Sequence, residues 1–226
     1  ELLLKEDKYI DLVIPRGGNG LISFVSLNSK IPVIKHDKGV CAMYIDKICN
    51  QKMAIEIAIN AKTSKPAACN SIETILIHKD SNILDDLIAN LKNSNIAIKA
   101  ESNIANKFDL MHLQNDDFYK EYGDNTLNIK IVENIDEAIE HIKTYGSFHS
   151  DCIITDDYTM AEKFLDEVDS ACIYVNASTR FSDGGEFGFG AEVGISTSKI
   201  HARGPMGVDS LTTYKYQIYG NGQIRK

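Results

Sequence analysis

Long apolar runs are missing from this sequence: none approaches the ~18 residues that a bilayer-spanning helix needs. No signal-peptide pattern opens it either, so neither a membrane span nor export is indicated. Positive charge is scarce. Lys and Arg number 24 against 32 Asp and Glu, for a net charge of −8, which argues against a nucleic-acid partner, whose phosphates demand a basic face. Paired cysteines are also lacking. Cys41, Cys49, Cys69, Cys152 and Cys172 make an odd number, with no CxxC and no zinc-type Cys/His spacing. That usage points away from a disulfide scaffold or metal site and toward a reducing cytoplasm. Internal repeats and low-complexity tracts are absent. The first residue is Glu1 rather than Met, so a fragment or processed product is expected.

What is present is enough for a core: 226 residues, 43% of them hydrophobic, predict one large domain or two small ones. Strand and helix patterns alternate, which predicts an α/β architecture. Strands are expected at Tyr9–Ile14, Ile31–Ile34, Val40–Ile45, Glu73–His78, Ile96–Lys99, Asn128–Val132, Asp151–Thr155 and Ala171–Asn176. Helical stripes run through 21–27, 47–61, a segment after Asp80-Ser81-Asn82 to about Leu91, 135–143, and a segment capped by Asp156-Asp157. Ile104–Gln114 reads either way. The last two strand–helix–strand units fit right-handed parallel crossovers. Glycine crowds the end beyond Ser178, and a β-like run over Leu211–Ile218 offers an edge for pairing with another subunit.

Cys69 is the candidate reactive group. It falls between the helical pattern and the strand ending at His78, at a junction where a side chain can face a cleft. The other four cysteines lie in or beside apolar runs and read as structural. Arg16-Gly17-Gly18-Asn19-Gly20 follows a predicted strand and precedes a helix, a place where backbone N–H groups can meet an anion. It is equally a tight turn, and it lacks the full GxGxxG fingerprint. Gly184–Gly190 reads as a packing or substrate-facing loop. Arg180 and Arg203, with His201, are candidates for clamping a carboxylate or phosphate, since guanidinium offers a bidentate fork. His149 reads as a satisfied loop histidine, and the acidic residues from Asp116 to Asp124 as a solvated face.

Four blocks, taken together, resemble γ-glutamyl phosphate reductase, a proline-biosynthesis family within the aldehyde dehydrogenase superfamily. They are Asn60-Ala-Lys-Thr through Cys69-Asn to Glu73-Thr; Val175-Asn-Ala-Ser-Thr-Arg-Phe181; Asp183-Gly-Gly-Glu-Phe-Gly; and Ser198-Lys-Ile-His-Ala-Arg-Gly-Pro-Met-Gly207. The resemblance implies an aldehyde dehydrogenase-like catalytic domain with a parallel-rich, three-layer sheet, the tail of a Rossmann-like cofactor domain, and a C-terminal oligomerisation strand. Residues 1–62 would be the tail of the cofactor domain, 63–182 the catalytic domain, and 183–226 the glycine-rich return segment with the oligomerisation strand. Family members are about twice this long, so the chain looks like their C-terminal half.

The resemblance further implies that Cys69 is the nucleophile. Its thiolate would attack γ-glutamyl phosphate and expel phosphate, and the resulting thioester would be reduced by NADPH to glutamate 5-semialdehyde. The Cys69 backbone N–H would help hold the oxyanion; proximity in sequence alone, apart from the resemblance, suggests Lys62 or Lys65 as a cation favouring the thiolate. Asn70, Arg180, His201 and Arg203 would bind substrate; Arg16, Gly17, Gly18 and Glu121 would bind NADP(H). No metal is implied, and the expected partner is a second copy of the chain, in a homodimer or higher homo-oligomer. Oxidising relatives carry a water-activating glutamate in a segment that corresponds here to Pro32-Val-Ile-Lys-His-Asp-Lys-Gly39, which has none. Two alternatives stay open: an acylating dehydrogenase with another acyl acceptor, such as coenzyme A, and a non-catalytic fragment that only folds and dimerises.

Overall fold

The computed structural model describes residues 1–35 and 38–226, so His36 and Asp37 of the Pro32–Gly39 segment lie outside the described residues. Seven strands form the main sheet: β1 (Cys41–Ile45), β2 (Ile72–His78), β3 (Ala97–Ala100), β4 (Met111–His112), β5 (Thr126–Val132), β6 (Ser150–Ile154) and β7 (Cys172–Val175). Every pairing in it is parallel, in the order β4-β3-β5-β2-β1-β6-β7. All five residues of β1 and all seven of β2 are buried, as strands covered on both faces must be. Helices α2 (Gln51–Thr63), α3 (Leu84–Asn93), α4 (Ser102–Phe108), α5 (Ile135–Tyr145) and α6 (Tyr158–Glu167) connect and cover the strands, and α1 (Asn19–Asn28) precedes them in the chain.

Alternation along β1 sorts its side chains between two cores. Cys41, Met43 and Ile45 point toward Ala54, Ala58 and Ala61 of α2 and Leu87 of α3. Ala42 and Tyr44 point the other way, against Ala138, Ile139 and Ile142 of α5 and Phe164 of α6. The result is the expected three-layer α/β sandwich. Each large apolar side chain so buried contributes roughly 1.5–3 kcal/mol. Side-chain caps fix three helix starts. Asn50 accepts from Met53 N at 3.0 Å, Asn134 from Glu137 N at 3.1 Å, and Asp157 from Thr159 N at 2.8 Å.

Several local expectations need correction. Tyr9–Ile14 and Ile31–Ile34 form no strands; among the described residues their β-pairing is limited to the single bridge Val13–Val33. Asp80-Ser81-Asn82 does not cap α3, whose N-cap position is Ile83; Asn82 instead accepts a hydrogen bond from Gln51. The ambiguous stretch Ile104–Gln114 divides between α4 and the two-residue β4. A boundary at 62/63 would cut one sheet in two, since β1 and β2 are hydrogen-bonded neighbours; the sheet itself runs from Cys41 to Val175. Among the described residues the Leu211–Ile218 run forms no ladder, and Tyr214, Tyr216 and Ile218 are exposed. Among the described residues no helix is long and apolar enough to cross a membrane.

Beyond β7, a small antiparallel pair, β8 (Gly194–Ser196) and β9 (Gly204–Met206), packs with the N-terminal segment. Ile34, Ala202 and Met206 form a third small core there, with Leu12 and Ile14 against it.

Candidate active site around Cys69

α2 stops at Thr63, and the chain makes a compact turn before entering β2. Ala68 N donates to Lys65 O at 3.0 Å and Ser71 N to Ala68 O at 2.8 Å, which leaves Cys69 near the apex of the turn. Its backbone is fixed on three sides. The Cys41 thiol donates to the Cys69 carbonyl at 3.3 Å, and the Thr179 hydroxyl donates to the Asn70 carbonyl at 2.6 Å. Asn70 Nδ2 donates to Ser182 O at 2.9 Å. From below comes Gly39. A Cβ there would lie 2.0 Å from the Cys69 carbonyl oxygen and 2.4 Å from its Cα, so only glycine fits.

The Cys69 side chain is half-buried and opens into a cleft of about 360 Å³, shared with Lys65, Asn70, Glu121, Arg180 and Glu192. Burial pushes the Cys69 thiol above its ordinary range, and Glu121 and Glu192 push it further, while Arg180 draws it back. Arg180 is itself steadied by a 3.0 Å hydrogen bond from Nε to Ser64 Oγ. Lys62, proposed from sequence as a thiolate-stabilising cation, does something else. It is fully buried and bound to Glu73 at 2.7 Å. Its closeness to Cys69 in sequence does not translate into facing it, because α2 points it inward beside Ala58 and Ala61.

Other expected site residues distribute unevenly. Asn70 lines the cleft, but its amide nitrogen is engaged by the 180–182 turn, at Ser182 O and at Arg180 O. Glu121 and Arg180 share the cleft with Cys69. His201 and Arg203 lie in a different cleft, beside Phe189 and Ser210. There Arg203 is paired with Asp169 at 2.9 Å, and His201 Nε2 sits 3.0 Å from Ser210 O. The structure does not bring these two to Cys69. Arg16 is turned onto the Val193 carbonyl, next to β8. Gly17 and Gly18 precede α1, whose first N–H groups receive no side-chain cap. Asp117, expected on a solvated face, is buried and ion-paired with Lys99 at 2.9 Å and Lys120 at 2.7 Å. Its carboxyl is held well below the usual range, because those hydrogen bonds outweigh burial. His149 is buried with Nδ1 2.9 Å from Ser150 Oγ.

Gly39, Thr179, Glu192 and the Lys62–Glu73 pair were not legible as site residues. Two carried a signal: Gly39, a glycine just before an apolar strand, and Lys62, which continues the buried stripe of α2. The Lys62–Glu73 and Thr179–Asn70 contacts span 11 and 109 residues of sequence, beyond any local pattern.

No family model matches the chain. It is 56% identical over 226 residues to a γ-glutamyl phosphate reductase of Nautilia profundicola, covering 99% of this chain and 55% of that protein. Its fold superposes on the crystal structure of a Thermotoga maritima γ-glutamyl phosphate reductase with a TM-score of 0.95. That match has 43% identity over 100% of this chain and 55% of the other. The chain is homologous to the γ-glutamyl phosphate reductases. The family resemblance read from Cys69 and the glycine-rich blocks is thereby borne out, as is the α/β fold. An acetylating aldehyde dehydrogenase of Geobacillus thermoglucosidasius shares the fold alone, with a TM-score of 0.68 at 22% identity over 99% of this chain and 59% of that one. The chain spans about half the length of the curated γ-glutamyl phosphate reductases it matches.

Proposed function

We propose that the protein carrying this chain reduces L-glutamate 5-phosphate to L-glutamate 5-semialdehyde and phosphate, with Cys69 as nucleophile, as a proline-biosynthesis step. One observation carries the reading. In a chain so similar to γ-glutamyl phosphate reductases, the single cysteine lying at a turn apex opens into a cleft beside a guanidinium and a free carboxylate.

The Cys69 thiolate attacks the acyl carbon, and phosphate leaves with the electron pair of the broken C–O bond, giving a thioester. The Cys69 backbone N–H is suited to hold the developing oxyanion. Arg180 faces this space and is suited to an anionic group of the substrate. Collapse of the later thiohemiacetal returns the thiolate and releases the aldehyde.

The residues fit a nicotinamide cofactor. Glu121 shares the cleft with Cys69 and has no hydrogen bond or ion pair among the described residues, so its carboxylate is available to ribose hydroxyls. Gly18 is open, with nothing within 4 Å of a Cβ built on it, whereas Gly17 packs against Leu21. NADPH, when bound, supplies the hydride that reduces the thioester carbon. Arg16, bound to Val193, serves to hold β8 near this turn. The exposed Leu211–Ile218 run is suited to pairing with a second copy.

The test is NADPH consumption with freshly generated γ-glutamyl phosphate, in parallel with glutamyl-coenzyme A, for wild-type and Cys69→Ala protein. Turnover only of the acyl phosphate, lost in the variant, is expected. Turnover of the coenzyme A ester alone would replace this reading with the acylating one, and an active Cys69→Ala protein would remove the nucleophile.

A further inference from the structure

An ion pair lies beneath the nucleophile's turn with no contact to the cleft. Lys62 Nζ sits 2.7 Å from Glu73 Oε2, and the two side chains are 0% and 1% exposed. Lys62 is on the last turn of α2 and Glu73 is the second residue of β2, so the pair closes the base of the loop that presents Cys69. Ser71 reinforces the closure, its hydroxyl lying within 3.3 Å of the Ala61 carbonyl. The pair also reaches the opposite wall. Lys62 Nζ stands 5.9 Å from the centre of the Tyr122 ring. Tyr122 is anchored again by its hydroxyl on Asn128 Oδ1 at 2.8 Å, and by Lys99 over its ring at 5.3 Å. Tyr122 follows Glu121 directly.

Stability does not explain this arrangement. A fully buried ion pair loses its hydration, and apolar side chains of similar volume commonly serve the fold as well or better. Here one oxygen, Glu73 Oε1, is buried without a partner, an added cost. What the pair supplies is direction, since a charge-assisted hydrogen bond tolerates little displacement. We infer that Lys62 and Glu73 are positioning residues that fix the Cys69 turn against the Tyr122 segment, and so set the placement of Cys69 relative to Glu121. The inference rests on the proposed roles of those two cleft residues. Burial lifts the Glu73 carboxyl to about 7, and the Lys62 ammonium beside it restrains the rise.

The test reads the coupling of Glu121 to Cys69 without turnover. Alkylation of Cys69 by iodoacetamide is followed by mass spectrometry across pH in the intact protein, with the other cleft groups, Lys65, Arg180, Asp183 and Glu192, left unchanged. In the wild-type background Glu121→Gln lowers the pH midpoint, because one facing carboxylate is lost. In Lys62→Met/Glu73→Leu protein, folded with a thermal midpoint at or above wild type, the same change moves the midpoint little. Its turnover of γ-glutamyl phosphate falls by ~100-fold, the scale of a 1 Å misplacement. Equal Glu121→Gln shifts in both backgrounds, or no shift in the wild type, would overturn the inference. If the apolar pair does not fold, Glu73→Gln and Glu73→Ala replace it. The glutamine, which keeps an acceptor for Lys62, retains the coupling and the alanine loses it; retention in both overturns the inference. Activity in Cys69→Ala protein would instead defeat the functional reading and leave the alkylation comparison standing.

Discussion

At Cys69 the balance of charges is unfavourable to a thiolate: two carboxylates, Glu121 and Glu192, oppose one guanidinium, Arg180. Each neighbour therefore has a predictable sign. Arg180→Ala removes the group that lowers the thiol's pKa, so the midpoint of alkylation rate against pH moves up. Glu192→Gln moves it down. Opposite or absent shifts would show that neither group faces the sulfur. Deeper in, Lys62→Met alone strands the Glu73 carboxyl in a dry site and should destabilise the fold by ~3–5 kcal/mol, read from urea unfolding, far more than a surface lysine would. The sequence could name Cys69 because its flanks are long and distinctive. It misjudged Lys62 because nearness along the chain is not nearness in space. A signal was available: Lys62 continues the buried Ala54–Ala58–Ala61 stripe of α2, which turns it away from the cleft.

Elements carry the next level of control. Gly39 ends the connection into β1, and its contact with Cys69 means that β1 can keep its register only if position 39 lacks a side chain. Gly39→Ala should displace the Cys69 turn and abolish turnover while most of the sheet persists, visible as retained far-UV circular dichroism with lost Cys69 protection from alkylation. An ordinary helix start behaves differently. Asn134→Ala removes the α5 cap and should cost ~1 kcal/mol without altering chemistry. The central strands and long helices were legible because their apolar periods are strong. β4 was not, since two exposed residues carry no pattern. Tyr9–Ile14 was overread: its apolar content is local, whereas a strand exists only through its neighbours, and here Val33 is the single one.

Across the whole molecule, buried titratable groups outside the cleft give stability its pH dependence. His141 packs between Phe118 and Tyr145, with ring centres 4.7 and 4.6 Å away, and burial with nearby Lys130 pushes its pKa down to about 3 against the pull of Glu137. Its folded value lies below the unfolded one, so the native state binds fewer protons. Its contribution is present above pH ~6.5 and is lost as pH falls toward 3, at up to ~1.4 kcal/mol per unit. Asp151, raised to about 6 by burial, has the opposite slope between pH ~4 and 6, within the His141 window, and offsets part of it. His141→Leu should flatten the acid limb of unfolding free energy measured from pH 7 to 4; an unchanged slope would show that His141 does not set it.

The sheet order has a last consequence, for synthesis. β1 is flanked by β2 on one side and β6 on the other, with Met43 opposite Cys152, and Asn70 is tied to Thr179 and Ser182. A nascent chain that has emerged only through Cys69 holds this thiol on an unfinished scaffold, with the apolar edge of β1 waiting for a neighbour still inside the ribosome. Parallel pairings this distant in sequence form slowly. The Cys69 turn can therefore be completed only after the residues through Ser182 have emerged.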